Sequence, residues 1–232
     1  MNDLRLYNTR TDKKEPFAAR TQGRVKLFTC GPSVYRRQHL GNYRTYLFED
    51  VLHKYLEYLG FDVQRVINFT DIEDKDIEEA REEGLSVEEL KRSVEEDFFR
   101  ESEMLGIHLP KEIPRASTSV DSAVELIQVL MEHGHAYRHQ GDIFFDPLTY
   151  DGFGRLFGLD MSRWPDKKVR FRRDTYPGQR WNLGDFILWH KRRPEDGRVW
   201  WETAIGQGRP AWNIQDAAMI KKHLGFEIDI HT

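Results

Sequence analysis

The feature that most constrains this chain is a strand, a helix and a second strand packed into about 45 residues near its start. Val25-Lys26-Leu27-Phe28-Thr29-Cys30 is a β run stopped by Gly31-Pro32, a pair that turns the chain sharply. A helix follows His39-Leu40-Gly41-Asn42. Tyr43, Leu47, Val51, Tyr55 and Leu59 recur every four residues, Phe48 and Leu52 widen the stripe, and Gly60 ends it. The stripe predicts the inner face of the helix. Val63, Val66, Ile67 and Phe69 then mark a second strand within Asp62–Thr70. Two such strands joined by a helix must run parallel with a right-handed crossover, which sets an α/β class. In open sheets of this kind ligands bind beyond the carboxyl ends of the strands. That places the candidate site on Cys30–Asn42.

Composition narrows the classes. Of 232 residues 39% are hydrophobic and 32% charged, and six Trp, nine Tyr and fourteen Phe supply the mass for a core. A chain of this length can bury roughly 70% of its unfolded surface without disulfide or metal. No apolar run approaches the roughly 20 residues of a membrane span, so no membrane partner is expected. The start, Met1-Asn2-Asp3-Leu4-Arg5, has no apolar leader, and the single cysteine fits a reducing, cytoplasmic setting. With 35 Lys and Arg against 39 Asp and Glu, the net charge is −4, which offers no dominant basic face for nucleic acid.

Beyond the βαβ unit the chain turns acidic. Asp71-Ile72-Glu73-Asp74-Lys75 leads into a helix-rich stretch over Ile77–Leu105, where Val87, Leu90, Val94 and Phe98 keep a helical period and the charges read as a solvated face. Pro110 and Pro114 mark a break. A helix is predicted over Val120–Glu132, then a hairpin over Ala136–Asp146 turning at Gln140-Gly141. Tyr150–Arg209, rich in Gly, Pro, Arg and Trp, reads as an irregular insertion pinned by aromatics. A helix at Ile214–His223, a C-cap at Gly225 and a strand at Phe226–Ile230 close a sheet split by the insertion.

The segment Cys30–Asn42 lies at a strand's carboxyl end and a helix's start, where unpaired N–H groups and the helix dipole suit phosphate. Gly41 allows close backbone approach, and His39 can donate to a phosphate oxygen as charge builds there. A surface histidine beside a capping turn is the other reading of these four residues alone.

Taken together, the motifs resemble the cysteinyl-tRNA synthetases, a class I family whose catalytic domains open with Cys-Gly-Pro-Thr-Val-Tyr and then His-Ile-Gly-His. Here the runs are Cys30-Gly31-Pro32-Ser33-Val34-Tyr35 and His39-Leu40-Gly41-Asn42, followed by Arg44-Thr45. Val66–Lys75 is similar to the family's Val-x-Asn-x-Thr-Asp-Ile-Asp-Asp-Lys. Asp185-Phe186, Leu188-Trp189 and Lys191 resemble its Asp-Phe-Ala-Leu-Trp-Lys, and Gly208–Gln215 its Gly-Arg-Pro-Gly-Trp-His-Ile-Glu. The order is the same along nearly the whole chain.

The resemblance implies a Rossmann-type class I catalytic fold with an inserted connective subdomain. The first half would occupy 1–115, the insertion 116–209 and the start of the second half 210–232. It implies amino-acid activation with ATP and Mg²⁺, cysteine being the favoured amino acid. Gly31, His39, Gly41 and Asn42 would hold the nucleotide, with His39 and Asn42 catalytic; Cys30, Gly31, Thr70 and Trp212 would hold the amino acid. Asn42 replaces a histidine and cannot become cationic, and Trp212 reads equally as a buried aromatic. The family's Zn²⁺ is held by two Cys, one His and one Glu. Cys30 stands at the first ligand, but Asp216 stands at the second and the other two would follow Thr232. Zinc at Cys30 is therefore set against a half-buried free thiol. The family's lysine-rich ATP loop and anticodon region would also lie downstream. Three functions stay open: an adenylating enzyme, its acceptor tRNA or a small amine; a non-catalytic nucleotide- or amino-acid-binding paralogue; and one part of a truncated synthetase or of a split one completed by a second chain. Arg170–Arg173 and Lys191–Arg193 are the short basic clusters that could meet RNA.

Overall fold

A computed structural model describes residues 4–173 and 183–232. A short antiparallel pair, β1 (Arg5–Asn8) and β2 (Lys13–Pro16), precedes β3 (Arg24–Thr29), α1 (Leu40–Tyr58) and β4 (Asp62–Ile67). Strands β3 and β4 run parallel from Arg24 opposite Asp62 to Thr29 opposite Ile67, so the βαβ unit is as the sequence predicts. Gly60, at φ +89°, turns the chain out of α1. Two helices follow, α2 (Asp74–Glu83) and α3 (Val87–Met104), then α4 (Val120–Glu132), the predicted helix to the residue.

The first core lies between this sheet and α3. Tyr46 and Phe69 both meet Phe98 edge-on, at ring separations of 5.6 and 5.4 Å. Helix α1 turns a different face inward than its spacing suggests. Tyr43, Tyr46, Glu49, Asp50 and Leu56 are buried, while Phe48 is 70% and Tyr58 84% exposed. A strict four-residue repeat advances about 40° around an α-helix at each step. The stripe that starts inside at Tyr43 has therefore rotated outward by Val51 and Tyr55, both exposed. The carboxylates at Glu49 and Asp50 are drawn inward by the buried Arg65 of β4, at 3.8 and 3.6 Å.

The stretch Tyr150–Arg209, expected to be irregular, contributes strands to a sheet that begins in the predicted hairpin. Strands β5 (Ala136–His139) and β6 (Asp142–Phe145) form the expected hairpin, and positive φ at Gln140 and Gly141 gives its two-residue turn. They belong to a five-stranded sheet with β7 (Arg170–Phe171), β8 (Asp185–Lys191) and β9 (Gly208–Pro210). Strand β8 lies between β6, β7 and β9 and is buried from Ile187 to His190, so it lacks the polar alternation that marks a half-exposed strand. A second core gathers Ile72, Val124, Ile127, Ile143, Trp189 and Met219, drawing on segments before, within and after the insertion.

Helix α5 (Trp212–His223) ends at Gly225, φ +85°, whose N–H returns to Ile220. The last strand, β10 (Ile230–His231), is shorter and later than Phe226–Ile230, and Phe226 is exposed. It pairs parallel with β3 on the side away from β4, so the chain does return to its first sheet. Among the described residues no helix is long and apolar enough to cross a membrane.

Candidate active site

Three segments meet beyond the carboxyl ends of β3 and β4: the turn from Cys30 to Asn42, residues Asn68–Asp76, and the first turns of α5. Gly31 allows the first two to touch. A Cβ there would stand 1.8 Å from the Asn68 carbonyl oxygen. The Gly31 N–H donates to Asn68 Oδ1 at 2.9 Å, and Asn68 Nδ2 donates to Asp216 Oδ1 at 3.0 Å. Beside this chain the Ser33 hydroxyl donates to Glu73 Oε1 at 2.7 Å and lies 2.9 Å from the Thr70 hydroxyl.

The His39 turn leaves hydrogen-bond donors facing outward at a helix start. His39 caps α1, its Nδ1 accepting from the Asn42 N–H at 3.3 Å. A ring nitrogen that accepts carries no proton, so in the neutral ring Nε2–H is the free donor. Gly41 makes room for that ring: a Cβ would lie 2.9 Å from His39 Cε1. The first turn of α1 holds no acidic residue to oppose a phosphate. Gln38 fixes the turn from inside. Its Nε2 donates to the Ser33 and Arg36 carbonyls, and its Oε1 accepts from Asn42 Nδ2 and the Tyr46 hydroxyl.

Of the residues the sequence singles out, Cys30 and Gly31 meet Asp216 and Asn68, Thr70 pairs with Ser33 on the same turn, and His39, Gly41 and Asn42 stand at the start of α1. Trp212 opens α5 one turn before Asp216, on the same helical face. Residues that sequence reasoning passed over do much of the joining. Asn68 is 1% exposed in an otherwise apolar run, and a polar residue at that place was the available signal. Asp71, Glu73 and Asp76 are buried rather than part of a solvated face. Glu73 caps α2 in a reciprocal capping box with Asp76, whose carboxyl burial and the Glu73 charge push well above its ordinary range. Asp71 accepts from Ser117 and pairs with Lys91 at 3.2 Å. Arg209, 3% exposed, ties the insertion to this acidic turn through Asp74, Asp196 at 3.2 Å and the Ile72 carbonyl at 3.2 Å.

The donor set does not fit zinc. Cys30 Sγ lies 3.7 Å from Asp216 Oδ2, and no third His, Cys, Asp or Glu converges on the pair among the described residues. Cys30 is exposed at its edge, yet desolvation of its sulfur by the surrounding groups, then the Asp216 charge and hydrogen bond, push the thiol up to about 12, so it stands as a protonated donor rather than a thiolate ligand. Asp216 is itself raised to about 6, by burial first and then by the Glu73 charge, against hydrogen bonds from Cys30 and Asn68. The two basic clusters are engaged with protein groups. Arg170 donates to the Tyr137 hydroxyl, Arg173 pairs with Glu78, Arg193 with Asp142, and Arg192 lies 3.8 Å over the Trp200 ring.

Residues 16–232 match the family described as tRNA synthetases class I (C) catalytic domain. Cysteine–tRNA ligase of Brachyspira hyodysenteriae is 36% identical over 233 residues, covering 100% of this chain and 49% of that protein. Cysteine–tRNA ligase of Clostridioides difficile is 37% identical, covering 99% of this chain and 48% of its own. The chain thus spans about half the length of the curated relatives it matches. Among solved structures, Mycobacterium tuberculosis methionyl-tRNA synthetase in complex with methionyl-adenylate aligns over 50% of this chain and 23% of its own, at 19% identity and a TM-score of 0.47. With its parallel sheet, its strand-end turn and a match over nearly its whole length, this chain belongs to the class I (C) tRNA synthetase catalytic-domain family.

Proposed function

We propose that this chain activates an amino acid with ATP, forming an aminoacyl adenylate and releasing pyrophosphate. The observation that carries the reading is the His39 turn, an anion-ready helix start with a fixed Nε2–H donor, on the same strand-end turn as the hydrogen-bonded pairs Gly31–Asn68 and Ser33–Thr70. ATP, entering with its Mg²⁺, would lay its phosphates over Gly41 and the N-terminus of α1. The amino acid would lie toward Gly31, Thr70 and Trp212, its carboxylate attacking the α-phosphate. The chain's own part is positioning and the donation of hydrogen bonds as charge grows on the phosphate oxygens, interactions that act in the transition state.

ATP–pyrophosphate exchange with each amino acid in turn tests the reading. Exchange with one or a few amino acids is the expected result, falling about 100-fold or more in His39→Ala. No exchange with any amino acid would sink it. A charging assay then separates tRNA from a small amine as acceptor. Asn42 favours a second reading, a nucleotide-binding protein without exchange of its own. Its Nδ2 is given to Gln38 at 2.9 Å, and its Oδ1 is buried without a hydrogen-bond partner. Calorimetric ATP binding without exchange supports that reading, and exchange restored by a second chain identifies one part of a split enzyme.

A further inference from the structure

We propose that the Asp216 carboxylate, held by Asn68 against the Cys30 thiol, recognises the side chain of the amino acid, and that this side chain carries an ammonium group rather than a thiol. The inference rests on the amino-acid activation reading and names the substrate class of that site.

The geometry is that of a fixed acceptor. Asn68 is buried and anchored at both ends, accepting from the Gly31 N–H and donating to Asp216 Oδ1. The carboxylate is thereby set in register with the backbone of Gly31. Asp216 stays half-buried, so a ligand group can reach it. Trp212, one turn earlier on α5, supplies the aromatic neighbour on the same face. A carboxylate positioned by a buried partner binds without the cost of ordering it first.

The charge around it selects the ligand. No Lys, Arg or His forms an ion pair with Asp216 among the described residues. Glu73 adds negative charge at Asp216, and Glu49 adds it at Cys30. Such a field opposes a thiolate and favours a cation. The donors present do not favour metal capture of a thiolate substrate: the Cys30 sulfur hydrogen-bonds Asp216, and no third His, Cys, Asp or Glu converges on the pair among the described residues. A site built around a fixed, partly desolvated acceptor discriminates against an analogue lacking the matching donor, and a thiol is a weak donor.

The experiment uses L-2,3-diaminopropionate, which replaces the cysteine thiol by an ammonium on the same carbon skeleton, together with L-serine and L-cysteine. Each is titrated calorimetrically into the full chain with and without ATP, and with and without one equivalent of zinc. Diaminopropionate is expected to bind at least tenfold more tightly than cysteine, with zinc leaving both unchanged. Asp216→Asn should bring the two amino acids within threefold of each other. Asp216→Glu, which keeps the charge, should retain the order, and ATP titration of each variant reports whether its fold is intact. Tighter binding of cysteine, zinc uptake that strengthens cysteine, or no amino acid bound by a protein that binds ATP would each overturn the proposal. Absence of ATP binding with the amino-acid order intact refutes instead the nucleotide-site reading.

Discussion

The buried charge cluster that joins α1 to the sheet makes a sharp stability prediction. Arg65 has 1% of its side chain exposed, and Glu49 and Asp50 have 2% each. Asp50 has other support, from Lys54 at 2.5 Å and the His108 N–H at 3.0 Å. Glu49 has less. Its Oε1 accepts from the Thr232 hydroxyl at 2.7 Å, its Oε2 has no hydrogen-bond partner, and Arg65 is the cation set against it. Arg65→Met should therefore leave an uncompensated buried carboxylate and cost about 3–5 kcal/mol. With a urea slope of about 2 kcal/mol/M, the unfolding midpoint falls by about 2 M. The pH dependence has a definite sign. Burial raises the Glu49 carboxyl above its ordinary value, so the unfolded chain loses that proton first and stability falls as pH rises above the unfolded value, about 4.3. Removing Arg65 raises the folded value further and widens that window. The loss in Arg65→Met should then be small near pH 5 and full near pH 8. Adding Glu49→Gln removes the stranded charge, so the double variant should recover most of the loss at pH 8. Urea unfolding of all three proteins at both pH values is the assay. A loss below about 1 kcal/mol at pH 8, or a double variant no more stable than the single, would refute the reasoning.

Two further outcomes follow from the site. Gly31→Ala would press a methyl group into the Asn68 carbonyl at 1.8 Å, against backbone that cannot swing aside. It should cost at least about 3 kcal/mol, read by urea unfolding, and a near-neutral result would mean that β3 and β4 part easily at their ends. Cys30 is exposed, so a small alkylating reagent can reach it, yet its thiol is held up to about 12. Iodoacetamide at pH 8 should modify it about 100-fold more slowly than free cysteine, and Asp216→Asn should quicken the reaction about tenfold. Labelling as fast as free cysteine would show that burial and Asp216 do not control the thiol.

The fold was legible where periodicity and turn chemistry agree. Strand β3, helix α4 and the hairpin at Gln140-Gly141 stand where the sequence puts them, because each is bounded by residues with few conformational choices. Two of the three misreadings share one cause, buried charge. The α1 face was misplaced because Glu49 and Asp50 point inward to an arginine 15 or more residues away, and no local pattern reports such a partner. Strand β8 was hidden because burial on both faces erases alternation. The short acidic run at Asp71–Asp76 looked like solvated surface because its partners, Ser33, Lys91, Ser117 and Arg209, are distant in sequence.

The site divides along the same line. His39 and Gly41 could be chosen from sequence since their work is local: a cap, a ring that must fit, a helix start. Asp216 could be noticed only as a departure, and its meaning lay in Asn68, which no spacing rule links to it. Once they are joined, a carboxylate and a protonated thiol share one hydrogen-bonded pair, and each makes the other a poorer metal ligand. The thiol is less acidic beside a negative charge, and the carboxylate already accepts two hydrogen bonds. Restoring only Cys at 216 would remove that charge but supply no third ligand. The physical consequence of the departure is therefore a change in what the pocket can bind, which amino-acid titration reads more directly than metal content.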